Sequence, residues 1–269
     1  NERFLKLFNT DKPVIAMVHL GALPGSPLFD SKLGLNGIIE NARNDMRALQ
    51  EAGVDAIMFG NENDRPYEFE VDTASTATAA FVIGKLQNDI KVPFGVNMLW
   101  DPMSTIALGV ATGAQFVREI FTGSYASDMG HWNPNAGQAM RYRDRLDRSD
   151  MLMFYNISAE FAHSLDKRKL SDQARSVVFS SIPDAVLVSG QITGEAASMS
   201  DLESVKEVLP DTPVLANTGV KHETLEDVLK VSDGCIVGSS LKFKGDTWQA
   251  VDPKRARDFM QRAQNFRKS

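Results

Sequence analysis

Residues 214–242 read VLANTGVKHETLEDVLKVSDGCIVGSSLK and contain one complete unit of strand, helix and strand. Two short apolar runs, at 214–216 and 235–237, flank a segment with helical periodicity at 225–230. Nearly continuous apolar runs are typical of strands in a parallel sheet that is covered on both faces. This stretch therefore predicts the α/β class of fold.

The same alternation of strand and helix covers the rest of the chain on both sides of this stretch. Apolar runs predict strands at 14–20, 54–59, 92–99, 115–121, 152–157, 185–188, 214–216 and 235–237. Segments with helical periodicity follow them at 37–51, 71–87, 105–111, 136–148, 172–180, 201–208, 225–230 and 256–267. Turns with Pro or Gly precede the strands, and no linker or break in composition separates the units.

These consecutive units predict a (β/α)8 TIM barrel that forms one domain over residues 1–269. The alternative is an open, doubly wound sheet. Such a sheet favours a Gly-rich dinucleotide fingerprint after the first strand, but LGALPG at 20–25 contains Pro and leads into a long loop. The closed barrel is the better interpretation.

Composition narrows the classes of partner. The 269 residues carry a formal net charge of −6 without a long run of Lys or Arg, so nucleic acid is not an expected partner. No apolar run approaches the roughly 18 residues of a membrane span. The run at 14–20 resembles the later runs and so predicts a strand rather than a signal peptide, which makes the cytoplasm the expected location.

Glycines lie beside hydroxyl groups after the last two predicted strands. The motifs are Asn217-Thr218-Gly219 and Gly238-Ser239-Ser240. Glycine lets the backbone approach an anion, and neighbouring N–H groups and hydroxyls donate hydrogen bonds to it. In TIM barrels the loops after the seventh and eighth strands recurrently bind phosphate. All of these residues are predicted to bind phosphate; the alternative is that the glycines only permit tight turns.

Four side chains near the carboxyl ends of predicted strands form a candidate acid/base set: His19, Glu62, Asp64 and Asp101. Of these, His19, Asp64 and Asp101 are predicted to be catalytic. Carboxylates and an imidazole exchange protons with a substrate, and the same groups ligate divalent metals such as Mg²⁺, Mn²⁺ or Zn²⁺. The sequence has no HxH or HExxH motif, so it leaves a divalent metal open and indicates no other cofactor. Solvated loop acids and a structural histidine are the alternatives.

Four side chains are candidate substrate ligands: Asn97, Arg118, Asn156 and Thr193. Arg118 and Glu119 are adjacent, so a strand points only one of them into the barrel. An inward arginine binds a carboxylate or phosphate through two N–H groups, whereas an ion pair in the barrel interior is the structural alternative. The two asparagines either orient a substrate hydroxyl or cap a helix or loop.

Two further features bear on function. The segment 122–136 is longer than a usual strand-to-helix loop and is predicted to be a lid over the barrel mouth or an oligomer contact.

Neither a P-loop sequence nor a Gly-x-Ser-x-Gly elbow occurs in the chain. Their absence from the sequence disfavours a P-loop nucleotide hydrolase and a serine hydrolase.

Several segments resemble the BtpA/SgcQ family. MVHLGALPGSP at 17–27 resembles its N-terminal signature, and further matches are GVDAIMF at 53–59, GVN at 95–97, FVREIFTG at 116–123, YASD at 125–128, VSG at 188–190 and VLANTGV at 214–220. The REIFTG version is most similar to the SgcQ branch. His19 and Asp64 match the family pattern position by position. After the second strand the family often has ENFGD, where this chain has GNEND at 60–64, so the order of acids differs.

The resemblance implies a barrel similar to the ribulose-phosphate-binding barrels. One branch of the family is associated with photosystem I stability, and SgcQ-like members resemble parts of sugar uptake and catabolism clusters. We therefore expect an enzyme of sugar-phosphate or phosphoribosyl metabolism, with isomerase or epimerase, lyase or glycosidic-bond chemistry on a small phosphorylated metabolite. The alternative is a non-catalytic assembly or regulatory protein that uses the barrel as a scaffold. Barrels of this type are often homo-oligomers.

Overall fold

The computed structural model describes residues 2–190 and 192–269, and it confirms the closed barrel. The barrel strands are Val14–His19 (β1), Ala56–Gly60 (β2), Phe94–Asn97 (β3), Phe116–Glu119 (β4), Leu152–Asn156 (β7), Ala185–Ser189 (β9), Val214–Asn217 (β10) and Cys235–Val237 (β11). They pair in parallel in this order, and β11 pairs with β1 to close the ring. A small second sheet contains the strands Tyr125–Ser127 (β5), Gly130–Trp132 (β6) and Ala162–Ser164 (β8).

Helices surround the barrel. They are Glu2–Phe8 (α1), Gly34–Ala52 (α2), Thr73–Leu86 (α3), Pro102–Thr112 (α4), Ala136–Arg145 (α5), Leu170–Ser181 (α6), Met199–Val208 (α7), Leu225–Val231 (α8) and Pro253–Lys268 (α9). All except α1 correspond to predicted helices. Asp72, Asn135 and Asp252 accept hydrogen bonds from the first N–H groups of α3, α5 and α9. Within the described part of the chain, no helix is long and apolar enough to cross a membrane.

The helix α1 closes the N-terminal end of the barrel, and the sequence pattern does not predict it. Phe4 and Phe8 of α1 are buried. The ring centroid of Phe8 lies 5.7 Å from that of Phe116 and 6.2 Å from that of Phe154, and both partners point into the barrel. This helix therefore works as an apolar plug at the end of the barrel that lies opposite the expected active site.

The segment 122–136 forms two strands beside the barrel mouth. Tyr125–Ser127 (β5) pairs in antiparallel fashion with Gly130–Trp132 (β6) and with Ala162–Ser164 (β8). The ring of Trp132 lies 5.3 Å from that of Trp100, which follows β3. An apolar cluster therefore attaches this small sheet to the mouth of the barrel.

Alternation of side chains along the strands produces a polar layer at the mouth. Met17, Phe116, Phe154, Leu187 and Leu215 belong to the cluster that fills the barrel interior. Because side chains two residues apart in a strand share a face, the residues two positions later also face inward. We call this group, together with Asn97 of β3, the mouth layer; its members are His19, Asn97, Arg118, Asn156, Ser189 and Asn217, all of them buried.

Candidate active site

A cavity of about 40 Å³ lies at the C-terminal mouth of the barrel. Each of the eight barrel strands, or the loop that follows it, contributes to its wall: Met17, His19, Glu62, Leu99, Trp100, Arg118, Glu160, Thr193, Gly194, Asn217, Thr218, Gly219, Ile236, Gly238 and Ser239. This is the end of the barrel at which TIM-barrel enzymes place their active sites. Of the residues predicted from the sequence, His19, Arg118, Thr193 and five of the phosphate group therefore meet in one cavity.

Arg118 lies at the centre of the hydrogen bonds below this cavity. Its Nη1 donates to Oδ1 of Asn217 at 3.0 Å, and its Nη2 lies 3.9 Å from Oε1 of Glu62. Nδ2 of Asn217 donates to the hydroxyl of Ser189 at 2.9 Å, and Nδ2 of Asn156 donates to the same hydroxyl at 3.2 Å. The mouth layer thus holds the guanidinium in place. Asn156 supports it from below and does not line the cavity.

Two buried carboxyl groups, of Glu62 and Glu160, face this guanidinium. Burial raises the pKa of each above its usual value, and the charge of Arg118 opposes the rise in both cases. The hydroxyl of Thr193 donates to Oε2 of Glu160 at 2.9 Å. A carboxyl group with a raised pKa is suited to take up and return a proton near neutral pH.

His19 lies on the other side of Glu62. Its Nε2 is 3.7 Å from Oε1 of Glu62, and its Nδ1 has no hydrogen-bond partner among the described residues. Burial lowers the pKa of His19 well below its usual 6.5, and the charge of Lys242 acts in the same direction. The imidazole is therefore neutral at pH 7, with one nitrogen able to donate and the other able to accept a proton.

The structure places the predicted catalytic acids Asp64 and Asp101 away from His19. Oδ1 of Asp101 accepts hydrogen bonds from the N–H groups of Met103 at 2.9 Å and Ser104 at 3.1 Å, which makes this residue the N-cap of α4. Oδ1 of Asp64 accepts from the N–H of Leu23 at 2.9 Å, and its side chain lines a separate cleft. Neither carboxylate lines the cavity, so neither enters the mechanism proposed below.

Two acids outside the predicted catalytic set line the cavity. Glu62 follows β2, but its position within GNEND departs from the family order, and so the resemblance does not select it. Glu160 follows β7 within SAEF at 158–161. A lone acid in a largely apolar segment after a barrel strand is the signal that identifies it.

Asn97 lies beside Glu62 beneath the cavity wall. Neither polar atom of its amide has a hydrogen-bond partner among the described residues. A Cβ atom at Gly60 would lie 2.6 Å from the carboxylate oxygens of Glu62 and 2.7 Å from Oδ1 of Asn97. Glycine at position 60 therefore lets these two side chains approach each other.

A second and larger cavity, of about 520 Å³, adjoins the predicted phosphate loops. It shares Thr193, Gly194, Gly219 and Ser239 with the first cavity. The charged or ionisable groups in the rest of its wall are those of Lys221, His222, Lys244 and Arg255, together with the carboxylates of Glu195 and Glu223. Three cationic side chains thus lie around the two Gly-containing loops. Backbone N–H groups and cations at one place are the features of a phosphate site.

The hydroxyl groups of these loops also form internal bonds. The hydroxyl of Ser240 donates to the carbonyl of Val220, and that of Thr218 donates to the carbonyl of Glu195 at 2.8 Å. The hydroxyl of Ser239 lies 2.6 Å from that of Thr247. Ser240 lines only the larger of the two cavities. The hydroxyls therefore fasten the loops to one another, while the backbone of Gly219 and Gly238 borders the site.

The described residues do not form a cluster of side chains that would ligate the divalent metal considered from the sequence. Residues 2–190 and 192–269 bring together no group of three or more His, Cys, Asp or Glu side chains that would hold a metal ion. A metal therefore stays a prediction from the sequence.

A closed parallel barrel with a charged, polar cavity at the carboxyl ends of its strands defines a TIM-barrel protein with an enzyme-like site. Residues 10–265 match the model of the BtpA family, and the chain belongs to this family. It is 45% identical to the sgc region protein SgcQ of Escherichia coli (strain K12) over 98% of each chain. It is 32% identical to the photosystem I biogenesis protein BtpA of Synechocystis, over 94% of this chain and 88% of that one.

Solved structures of other barrels share the fold at low identity. One is (S)-3-O-geranylgeranylglyceryl phosphate synthase from Thermoplasma acidophilum in complex with sn-glycerol-1-phosphate, with a TM-score of 0.62 and 13% identity over 97% of this chain and 96% of that one. Another is N-(5′-phosphoribosyl)anthranilate isomerase from Pyrococcus furiosus, with a TM-score of 0.56 and 15% identity over 94% and 99%. At this level of identity the similarity establishes the barrel architecture alone.

Proposed function

We propose that this protein is an enzyme that transfers protons within a small phosphorylated sugar or phosphoribosyl compound. One observation carries the proposal: a single cavity joins the predicted phosphate loops to a neutral histidine, two buried carboxyl groups and an arginine. The barrels of similar fold include proteins named for a phosphoribosyl substrate and one bound to a glycerol phosphate, which supports this class of substrate.

The phosphate group binds where the two cavities meet. Gly219 and Ser239 line both, so their backbone N–H groups are available to the phosphate oxygens. Lys221 and Arg255 add positive charge from the larger cavity. The space of about 40 Å³ beside Arg118 holds only a few water molecules, so the sugar enlarges it by displacing the loops at its rim.

The reaction that fits the opposite end of the cavity is an isomerisation or epimerisation. Glu62 as base takes a proton from the carbon next to a carbonyl group, and the C–H electron pair moves to form an enediolate. Arg118 donates a hydrogen bond to the oxygen that gains negative charge. In isomerisation the proton returns from Glu62 to the neighbouring carbon, while the neutral His19 accepts the hydroxyl proton from one enediolate oxygen and gives a proton to the other. In epimerisation a solvent proton is added to the other face of the same carbon while Glu62 releases its own. The numbers of protons and electrons are unchanged, so this reaction needs no redox partner.

The polar wall of the cavity argues against the alternative of a non-catalytic assembly or regulatory protein. Eleven of the fifteen residues that line the cavity are polar or glycine, and three of them, His19, Glu62 and Glu160, are buried ionisable groups near Arg118. Buried ionisable groups are costly to keep in a fold that only needs a surface. Their presence therefore favours catalysis.

Isothermal titration with ribose 5-phosphate tests the phosphate site. The double variant Lys221→Ala/Arg255→Ala removes two charges from the larger cavity, and we expect the dissociation constant to rise about tenfold or more, which corresponds to about 1.4 kcal/mol. Lys230→Ala, on the exposed face of α8, is the matched control because Lys230 pairs with Asp227 far from the loops. Equal losses in both variants, or no binding to the wild type of either ribose 5-phosphate or inorganic phosphate, would refute the site.

A further inference from the structure

A third cavity, of about 410 Å³, lies on the other side of His19 from the phosphate loops. Its walls come from α2, from the loops after β1 and β2, and from the loop after β11. His19 lines both this space and the cavity beside Arg118. We call the third cavity the side chamber. Its volume falls within the roughly 300–1,000 Å³ of ordinary small-molecule sites.

The charged groups of the side chamber are already engaged by the protein. Asp30 accepts hydrogen bonds from the N–H groups of its own loop, and Asp45 accepts one from the N–H of Val251 at 2.9 Å. The buried Lys242 donates to the carbonyl of Thr247 at 2.8 Å. With Arg65, the wall contains two carboxylates and two cationic side chains, so its formal charges cancel.

Amide groups supply the remaining polar surface. Asn41 and Asn44 project from one face of α2, and Gln249 faces them from the loop after β11. These three residues are exposed, so their amide groups are accessible to a ligand. Each amide presents both donors and an acceptor. The chamber is thus suited to an uncharged ligand whose edge carries donors and acceptors.

The indole ring of Trp248 adds a flat surface to the side chamber. The guanidinium of Arg65 lies 3.8 Å from the ring centroid of Trp248, and both side chains line the chamber. Trp248 is 49% exposed even so, which leaves part of its surface accessible to a ligand. Leu33 and Ile38 provide apolar surface in the same space. Flat aromatic and guanidinium groups stack on planar rings.

We propose that the side chamber is a second subsite that binds an uncharged planar ring with hydrogen-bonding edges, of the nucleobase type, attached to the phosphorylated sugar. This inference rests on the proposed function, because the phosphate occupies the Gly219 and Ser239 loops while the ring lies beyond His19. The buried, unpartnered Nδ1 of His19 then lies next to the bond that joins the sugar to the ring. A phosphoribosyl compound with such a ring spans the three cavities in sequence. A closed glycoside of this kind has no carbonyl group, so it is a ligand of the subsites and not the substrate of the proton transfer.

Titration with ribose 5-phosphate and with the four ribonucleoside 5′-monophosphates tests this subsite. We expect at least one nucleotide to bind the wild type about tenfold more tightly than ribose 5-phosphate. Trp248→Ala removes that difference and leaves the affinity for ribose 5-phosphate unchanged, while Trp248→Phe retains most of it because a flat ring remains. The exposed Phe243, in the same loop but outside the chamber, supplies the control Phe243→Ala.

The outcomes separate this inference from the proposed function. If ribose 5-phosphate binds but no nucleotide binds more tightly, or if the nucleotide advantage survives in Trp248→Ala, the side chamber is not a ring subsite, although the phosphate site stands. If neither ribose 5-phosphate nor any nucleotide binds, the proposed function fails together with this inference.

Discussion

Replacement of Glu119 by Gln measures directly how strongly burial at the end of β4 penalises a negative charge. Burial raises the pKa of Glu119 from its usual 4.5 to about 8, while a hydrogen bond from the N–H of Ile120 and the charge of Arg118 oppose the rise. Because the folded state holds this proton more tightly than the unfolded state, the group's contribution to stability is complete below pH 4.5 and is lost as the pH rises to about 8. At about 1.36 kcal/mol for each pKa unit, the loss is on the order of 5 kcal/mol.

Glu119→Gln has no proton to lose and so avoids this loss. We expect the variant and the wild type to have similar unfolding free energies at pH 5 and the variant to be more stable by several kcal/mol at pH 9, as measured by urea denaturation. Glu203→Gln, on the exposed surface of α7, is the control and should show no such change with pH. A stability difference between Glu119→Gln and the wild type that is the same at pH 5 and pH 9 would refute the reasoning. It would also weaken the same argument for the carboxyl groups in the cavity.

Three further substitutions test separate parts of the structure. Phe8→Ala removes the ring that plugs the barrel and should cost about 3–5 kcal/mol in urea denaturation, whereas a cost below about 1 kcal/mol would mean that α1 does not seal the core. Gly219→Ala should abolish binding of ribose 5-phosphate. The backbone of Gly219 has a φ of 63°, and a Cβ there would lie 2.1 Å from the backbone nitrogen of Ala196. Unchanged binding in calorimetry would rule out the loop as the phosphate site. Asp101→Ala should lower stability by about 0.5–2 kcal/mol through loss of the α4 cap and leave ligand affinity unchanged, so a selective loss of turnover would restore Asp101 to the catalytic set.

The strands of the barrel could be predicted because each is a short, nearly continuous apolar run bounded by turn residues. The elements that the pattern misses are short: α1 has seven residues, and β5, β6 and β8 have three each. A three-residue strand carries too little alternation to be recognised. In addition, β5 pairs with β8 across a whole strand and helix of the barrel, a pairing that no local pattern encodes.

The site was partly predictable for a similar reason. Arg118 and the loops at Gly219 and Gly238 follow or end strands whose positions were known, so the fold alone brings them to the mouth. A sequence does not distinguish a free carboxylate from one that caps a helix, and this explains why Asp101 was expected in the site while Glu160 was not. That distinction depends on hydrogen bonds that exist only in the folded chain.

Proton exchange with solvent tests the central claim most directly. Ribose 5-phosphate and ribulose 5-phosphate are incubated with the protein in D₂O, and the carbon-bound protons next to the carbonyl group are followed by NMR. The account predicts that the wild type replaces such a proton by deuterium in at least one of these compounds, and that Glu62→Gln slows the exchange by about two to four orders of magnitude. Absence of exchange with both compounds, although they bind, or exchange that is as fast in Glu62→Gln as in the wild type, would contradict it.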